Sequence, residues 1–138
     1  MRHRVYGRKL GRNKNERAAL FKSLVRSLVI SEKIQTTESK AKAIKGLIDK
    51  LINQAKSPTT RYMVSQFFSN KQISEKLFKD ITPRLKDRDS GYTSMIRMGR
   101  RQGDGAQIVQ ISLLTTTPVK EEAKKLAKKP LRGVKKND

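Results

Sequence analysis

The spacing of apolar residues changes along this chain from a helical period to strict alternation. In two early segments, apolar residues recur every three or four positions, which is typical of helices with one buried face. They are Ala18, Phe21, Leu24, Val25, Leu28 and Val29, then Ala41, Ile44, Leu47, Ile48, Leu51, Ile52 and Ala55. Further along, Val109, Ile111 and Leu113 alternate with Gln110 and Ser112, as in a half-buried strand. The chain is therefore predicted to pack helices and strands around one core.

Capping residues predict the boundaries in the first half of the chain. Asn13 and Glu16 have the spacing of a capping box ahead of the first helix, which is predicted to end near Glu32. A short strand is predicted over residues 33–36. Thr37 is a good N-cap for the second helix. The predicted order is therefore helix, strand, helix.

Two weaker helices and two strands are predicted for the second half. The helices carry Tyr62, Met63, Phe67 and Phe68 in the first, and Ile73, Leu77, Phe78 and Ile81 before Thr82-Pro83 in the second. One strand covers residues 92–98, with Ile96 and Met98 on one side and Arg97 on the other, and the next covers 107–114. A Gly-rich hairpin loop joins them, and the apolar faces are the candidate core. The predicted fold class is α+β: a two-layer domain of about four helices on a small mixed sheet, in the order α-β-α-α-α-β-β.

A large excess of positive charge limits what this domain can bind. Of the 138 residues, 33 are Lys or Arg and 12 are Asp or Glu, a formal net charge of +21. Such a charge repels itself and exceeds what solubility requires. A polyanionic partner is the simplest reason to keep it, because each neutralised phosphate releases condensed counterions. Nucleic acid is the favoured partner, and acidic lipid or an acidic protein are the alternatives.

The residue types present disfavour several other function classes. The chain has no Cys, and its one His, His3, cannot form a metal site alone. Carboxylates are sparse, no Ser-His-Asp set is indicated, and residues 99–103 lack the Gly-Lys-Ser/Thr ending of a P-loop. No apolar run approaches the length of a membrane span, and no secretory signal is visible. We expect no enzyme, cofactor, metal, membrane partner or small-molecule substrate, and a cytoplasmic location.

The distribution of charged and apolar residues predicts three regions. Residues 1–12 form a basic extended arm, with no acid and too few apolar side chains to fold alone. Residues 13–114 form the α+β domain, and residues 115–138 form a basic flexible tail. Tyr6 could equally stack on an unpaired base or pack on the domain, whereas Tyr92 is expected in the core or at a sheet edge.

Two groups of cations are candidate phosphate-binding sites. Arg presents a planar fork that fits phosphate oxygens, whereas Lys acts as a point charge. The first group runs from the arm into the first helix and consists of Arg2, His3, Arg4, Arg8, Lys9, Arg12, Lys14 and Arg17. The second group lies on the hairpin and consists of Arg97, Arg100 and Arg101. The alternatives are a basic terminus without a defined site and a solvated turn, respectively.

Four sets of short motifs occur in a recognisable order. They are Met1-Arg2-His3-Arg4 with Gly7-Arg8-Lys9-Leu10-Gly11-Arg12, Ile34-Gln35-Thr36-Thr37 with Lys40-Ala41-Lys42, Pro83-Arg84 with Asp87-Arg88, and Gly91-Tyr92-Thr93 with Gly99-Arg100-Arg101-Gln102-Gly103-Asp104. Over residues 1–114 they resemble the bacterial large-subunit ribosomal protein family numbered seventeen. Four sets in register make a chance match improbable.

The resemblance implies a two-layer α/β domain with one strand between the first two helices and two strands at the end. It implies a structural role in the large ribosomal subunit, bound to ribosomal RNA on the outer side near the peptide exit, beside neighbouring large-subunit proteins. It carries RNA contact over to Arg2, His3, Arg4, Arg8, Lys9, Arg12, Arg17, Arg100 and Arg101. One position departs, because Glu16-Arg17 stands where the family usually has His followed by Arg.

The predicted function is a structural constituent of the large subunit that binds ribosomal RNA through Arg/Lys–phosphate contacts and stabilises its fold in translation. A DNA-compacting protein is the first alternative, which the Gly-rich Arg loop favours and the lack of a clear helix-turn-helix disfavours. An RNA-modifying enzyme is the second, but it would need a cofactor loop or a metal set that the sequence does not show.

Overall fold

The computed structural model of the protein describes residues 7–115. The helices and strands within that range follow the predicted order. They are α1 (Lys14–Ser31), β1 (Lys33–Thr37), α2 (Glu38–Lys56), a 3-10 turn (Pro58–Thr60), α3 (Arg61–Phe68), α4 (Lys71–Lys76), a π-helical turn (Leu77–Ile81), α5 (Thr82–Arg84), β2 (Thr93–Arg100) and β3 (Gln107–Leu113). The predicted α+β class is confirmed, and the fourth predicted helix corresponds to α4, the π-helical turn and α5 in succession.

Backbone geometry at Asn13 and Glu32 sets the two ends of α1. Asn13 precedes the helix in an extended conformation, and its N–H donates to Glu16 Oε2 at 3.1 Å, as the capping spacing predicts. Glu32 has a left-handed φ of 59°, and its N–H donates to Leu28 O at 2.8 Å. Glycine is the usual residue at such a position, because a side chain is strained there. The Glu32 carboxylate contacts Arg84, which gives this side chain a structural role.

The three strands form one antiparallel sheet in the order β1-β3-β2. β3 is the central strand, since Ile34 of β1 and Met95 of β2 both lie opposite Ile111. β1 and β2 run in the same direction but do not pair with each other, because β3 lies between them. The prediction of a mixed sheet is therefore wrong, as both ladders join an edge strand to a central strand of opposite direction.

The core lies between the helices and one face of the sheet. Val25 and Leu28 of α1, Ile44 of α2 and Ile111 of β3 are all buried. Partly buried residues packed against this core are Phe21, Leu24, Ile34, Leu47, Phe67 and Phe78. The periodic positions found in the sequence supply most of these residues. Ala18 is exposed near the start of α1, so its expected place in the core is wrong.

Two apolar residues of β2 lie outside the core, contrary to the prediction. Ile96 and Met98 are 54% and 55% exposed. Ile96 lies opposite Gln110, on the sheet face away from the helices, and an irregularity between Arg97 and Gly99 shifts the register at Met98. Alternation identifies the two faces of a strand, but the packing of the helices decides which face is buried.

The helix α3 buries only part of its predicted apolar set. Tyr62 is 63% exposed and Met63 is 38% exposed. Phe68 is buried as predicted, together with Val64, which lies four positions before it. Residues at this spacing lie on the same face of a helix, so the face of α3 that meets the core is rotated from the predicted one.

Tyr92 is fully buried and joins the start of β2 to α2, as expected for a core residue. Its hydroxyl lies within hydrogen-bond distance of Asn53 Oδ1 and of Arg88 O. Its backbone N–H donates to Asp49 Oδ1 at 3.1 Å. The ammonium of Lys56 lies 4.7 Å from the ring centroid, a cation–π distance. These contacts fix α2 against the sheet and thereby position its exposed face.

Candidate nucleic-acid interface

The arm ends in a tight turn that leads into α1. Leu10 and Gly11 both have left-handed backbone, with φ of 55° and 62°. The Arg12 N–H donates to Lys9 O at 3.2 Å across the turn, and Arg12 Nη1 donates to Leu10 O at 3.0 Å. Arg17 Nη1 donates to Arg12 O at 3.2 Å, which attaches the turn to α1. Arg12 and Arg17 therefore stabilise the shape of this segment as well as carrying charge.

The cations of the arm group divide into those that the structure describes and those that it does not. Arg2, His3, Arg4 and Tyr6 lie outside the described residues. Arg8, Lys9 and Lys14 are exposed, and within residues 7–115 they have no ion-pair partner. These three side chains are therefore available to an external anion.

A groove of about 550 Å³ opens between the arm, α1 and α2, and we call it the α1–α2 groove. Its apolar lining consists of Phe21 from α1 and Ala43, Gly46 and Leu47 from α2. Its remaining lining residues are Gly7, Arg8, Lys9, Arg17 and Lys50. Cations from three separate segments of the chain therefore surround an apolar surface.

Within the described part of the chain, no carboxylate in the lining of the α1–α2 groove neutralises its positive charge. Glu16 and Asp49, which directly precede two of the lining cations, have other partners. Glu16 accepts the Asn13 N–H and Asp49 accepts the Tyr92 N–H, each at 3.1 Å. A concave surface lined by one sign of charge concentrates counter-ions, so the groove attracts anions.

The hairpin between β2 and β3 is shaped by an ion pair. Arg101 Nε lies 3.0 Å from Asp104 Oδ1, and Arg101 Nη2 lies 2.5 Å from Asp104 Oδ2. The Ala106 N–H also donates to Asp104 Oδ1 at 3.2 Å. The Arg101 guanidinium, followed by that N–H, lowers the pKa of Asp104 to about 2. Arg101 therefore holds the loop closed, whereas Arg100 is exposed and has no ion-pair partner in the described part of the chain.

Arg97 contacts the helix side of the sheet rather than standing free. Its Nη2 lies 3.3 Å from Glu38 Oε1, and Lys42 Nζ lies 2.7 Å from the same oxygen. The hydrogen bonds from Lys42 and then Arg97 lower the pKa of Glu38. The Arg97 side chain remains 73% exposed, so this single contact leaves most of the guanidinium accessible.

The structure places the two predicted groups of cations at different points along α2. Arg97 contacts Glu38 at the start of α2, whereas Arg8, Lys9 and Arg17 meet α2 between residues 43 and 50. The helical rise makes the distance from position 38 to position 50 about 18 Å. The two groups of cations therefore do not share one pocket, and each contacts a different part of α2.

Sequence reasoning missed the contribution of α2 to this surface. Lys45 and Lys50 are exposed on α2, and Lys50 lines the groove. Phe21 and Leu47 were expected only in the core, yet both are partly exposed and line the groove. The recurrence of Lys on the polar face of the second helix is a signal that could have identified part of this site.

Two other features are absent from the residues that the structure describes. None of the helices within residues 7–115 is long and apolar enough to cross a membrane. The same residues contain no group of three or more Asp, Glu or His side chains that could hold a metal ion.

A small α+β domain with a cationic groove and a basic arm is typical of proteins that bind polyanions. The family described as Ribosomal protein L17 matches residues 20–114 of the chain. The chain therefore belongs to the L17 family of ribosomal proteins. This membership confirms the resemblance and the expectation of a structural protein of the large ribosomal subunit, located in the cytoplasmic ribosome, rather than an enzyme.

Relatives from several bacteria support the same assignment. A Large ribosomal subunit protein bL17 from Anaeromyxobacter sp. (strain K) is 42% identical over 120 residues, which cover 86% of this chain and 76% of the relative. The protein of that name from Rubrobacter xylanophilus is 40% identical over 116 residues, 83% of this chain and 96% of the relative. That from Carboxydothermus hydrogenoformans is 41% identical over 112 residues, 80% of this chain and 100% of the relative.

Proposed function

We propose that this chain binds large-subunit ribosomal RNA through contacts between its Arg and Lys side chains and RNA phosphates, and thereby stabilises the folded RNA in translation. The observation that carries this proposal is the α1–α2 groove, where cations from three segments meet and none of the described lining residues is a carboxylate. Neutralising phosphates there releases counterions, which favours association. Neighbouring large-subunit proteins are the other partners that this function requires.

The separation of the two cation groups supports a bridging role. Along α2, Glu38 lies about 8 Å from the near end of the groove and about 18 Å from Lys50 at its far end, and the Debye length at physiological salt is about 8 Å. Lys50 in the groove and Arg97, whose guanidinium contacts Glu38, are therefore far enough apart to contact different phosphates. A rigid domain that holds two phosphate sites apart can fix the relative position of two RNA segments.

The three predicted regions divide this work between them. The arm, residues 1–12, and the hairpin supply directed contacts from Arg and Lys, while the domain, residues 13–114, holds them in place. The tail, residues 115–138, carries eight Lys or Arg and three acids after Thr115, which fits general counter-charge.

Replacement of the exposed arm cations tests the proposal directly. The variant Arg8→Gln/Lys9→Gln removes two cations of the groove that make no ion pair within residues 7–115. We expect weaker binding to a large-subunit RNA transcript and a plot of log affinity against log salt that is shallower by about 1.4–1.8. A matched control, Lys71→Gln/Lys86→Gln, removes the same charge from exposed positions outside the groove.

The comparison of variants and competitors separates the possible outcomes. Filter binding over a range of salt concentrations gives both affinity and slope for the wild-type chain and the two variants. Equal losses in the two variants would mean that only total charge matters, which contradicts directed binding. Tighter binding to duplex DNA than to the RNA transcript would favour the architectural DNA-binding alternative.

A further inference from the structure

We propose that the α1–α2 groove receives one unpaired nucleotide of the bound RNA, with its base against the apolar lining and its flanking phosphates on the cations. This inference rests on the proposed function and adds the form of RNA that the groove recognises. It distinguishes the groove, where cations border an apolar lining, from the hairpin, where Arg100 offers an exposed charge.

The size and lining of the groove fit a single base. Its volume of about 550 Å³ lies in the range of sites that enclose one small ligand, about 300–1,000 Å³. Unpaired bases in RNA are recognised by stacking on aromatic rings or on the guanidinium plane of Arg. Phe21 provides a ring and Arg17 provides a guanidinium, and both line the groove. A base-paired helix presents its phosphates outward and would leave this apolar surface unfilled.

Both candidate stacking partners are held in place before RNA binds. Phe21 packs against the core and is only partly exposed. Arg17 is also partly exposed, and its Nη1 donates to Arg12 O at 3.2 Å. Side chains that are already ordered lose less conformational freedom on binding, which favours affinity. Small residues, Ala43 and Gly46, leave the space opposite them open.

Charge decides between this occupant and a peptide. Among residues 7–115, four cations line the groove, namely Arg8, Lys9, Arg17 and Lys50, and no acid does. Residues 1–6 precede the groove in sequence but carry Arg2, His3 and Arg4 without an acid. Placing that segment in the groove would add like charge, whereas a nucleotide adds negative charge. An apolar base with phosphates on both sides therefore matches both parts of the lining.

A variant that fills the groove without changing its charge tests the inference. Gly46→Leu adds an apolar side chain at an exposed position of α2 and keeps all four cations. Leu is a better helix former than Gly, so the fold should be retained. Ser39→Leu is the matched control, since Ser39 is exposed on the same helix but does not line the groove.

The full chain is titrated into a fluorescent 12-nucleotide oligouridylate and into a 12-base-pair RNA duplex, with anisotropy as the readout. Gly46→Leu is expected to weaken single-strand binding by about 5- to 150-fold, the range for loss of one base–aromatic stack. Duplex binding and the salt dependence of both probes should stay unchanged, and Ser39→Leu should match the wild type. The inference would be overturned if Gly46→Leu bound the single strand as tightly as the wild type, or if it bound both probes more weakly by the same factor.

A second measurement uses the wild-type chain and so does not depend on how a variant folds. Oligouridylate containing 4-thiouridine is crosslinked to the protein, and the attached peptides are identified by mass spectrometry. Crosslinks are expected at Phe21 or within residues 43–50, and crosslinks confined to the hairpin would contradict the inference. Steep salt dependence with no groove crosslink rejects the inference alone, whereas a shallow slope for both probes rejects the proposed function itself.

Discussion

The ion pair between Glu32 and Arg84 provides the most direct test of how this fold is stabilised. Arg84 Nη2 lies 2.6 Å from Glu32 Oε1, and Arg84 Nη1 lies 3.2 Å from Glu32 Oε2. Thr115 Oγ1 donates to the same Oε2 at 3.2 Å, and the Leu113 N–H donates to Glu32 O at 2.9 Å. The end of α1, α5 and the end of β3 thus meet at one residue. The perturbation is a double-mutant cycle of Glu32→Gln and Arg84→Gln.

The partial burial of this pair sets the expected magnitude. The side chains of Glu32 and Arg84 are 24% and 28% exposed. Exposed pairs contribute about 0.2–1 kcal/mol, and breaking a buried pair costs about 3–5 kcal/mol. Allowing for solvent screening, we expect a coupling energy of about 1–2 kcal/mol at pH 7, near the lower end because water reaches both groups.

The pKa of Glu32 determines how this coupling depends on pH. The hydrogen bond from Arg84 lowers the pKa of Glu32 in the folded protein. A lowered pKa stabilises the folded state above the ordinary Glu value of about 4.3. That stabilisation is lost as the pH falls through the lowered folded value, because the carboxylate then takes up a proton.

Urea unfolding of the four proteins, followed by circular dichroism, measures the free energy of unfolding from pH 7 down to about pH 2. The coupling energy should be greatest at neutral pH and should decrease on the acid side. A coupling energy below about 0.3 kcal/mol at pH 7 would show that solvent screens the attraction between Glu32 and Arg84 almost completely. A coupling that persists unchanged at the lowest pH would refute the role of the carboxylate charge.

Two further predictions concern Tyr92 and the hairpin. Tyr92→Phe removes a hydroxyl that contacts Asn53 and Arg88 O. Urea unfolding should therefore show a free energy of unfolding that is lower by about 0.5–2 kcal/mol. The control Tyr62→Phe, at an exposed site, should leave the free energy of unfolding unchanged. Asp104→Asn should speed exchange of the Ala106 amide at neutral pH, as measured by NMR. In the wild type, the protection of the Ala106 amide from exchange should persist above the ordinary pKa of Asp and disappear as the pH falls through about 2. Equal exchange rates in the two proteins at neutral pH would count against the ion pair.

The candidate site was only partly visible in the sequence because ion pairs form between distant residues. Arg97 and Glu38 are 59 positions apart, yet the sheet brings them within 3.3 Å. A pattern of cations shows where positive charge is concentrated, but not which charges a fold neutralises. The ion pair between Asp104 and Arg101 is one that the sequence could have revealed, because the two residues are three positions apart in a Gly-rich loop. This pairing gives Arg101 a structural role in the hairpin, while its predicted phosphate contact stays a prediction.

The groove shows a second limit of sequence reasoning. Phe21 and Leu47 fit the apolar periodicity of two helices, which predicts burial. They are only partly buried, because they lie where the arm, α1 and α2 diverge. Periodicity gives the direction of a side chain from its helix axis, whereas the exposure of that side chain depends on how closely the neighbouring element approaches.

The sequence by itself determined the features that depend on near neighbours in the chain. The caps at Asn13 and Thr37, the helical and alternating periods, the element order and the excess of positive charge are all of this kind. The tertiary structure alone decided that the sheet is fully antiparallel, that Ile96 and Met98 face away from the core, and that Lys50 joins the arm at one groove. Hydrogen bonds and dihedral preferences act within a few residues, so a sequence displays them. Burial and neutralisation depend on contacts between segments tens of residues apart, which exist only after the helices have packed on the sheet.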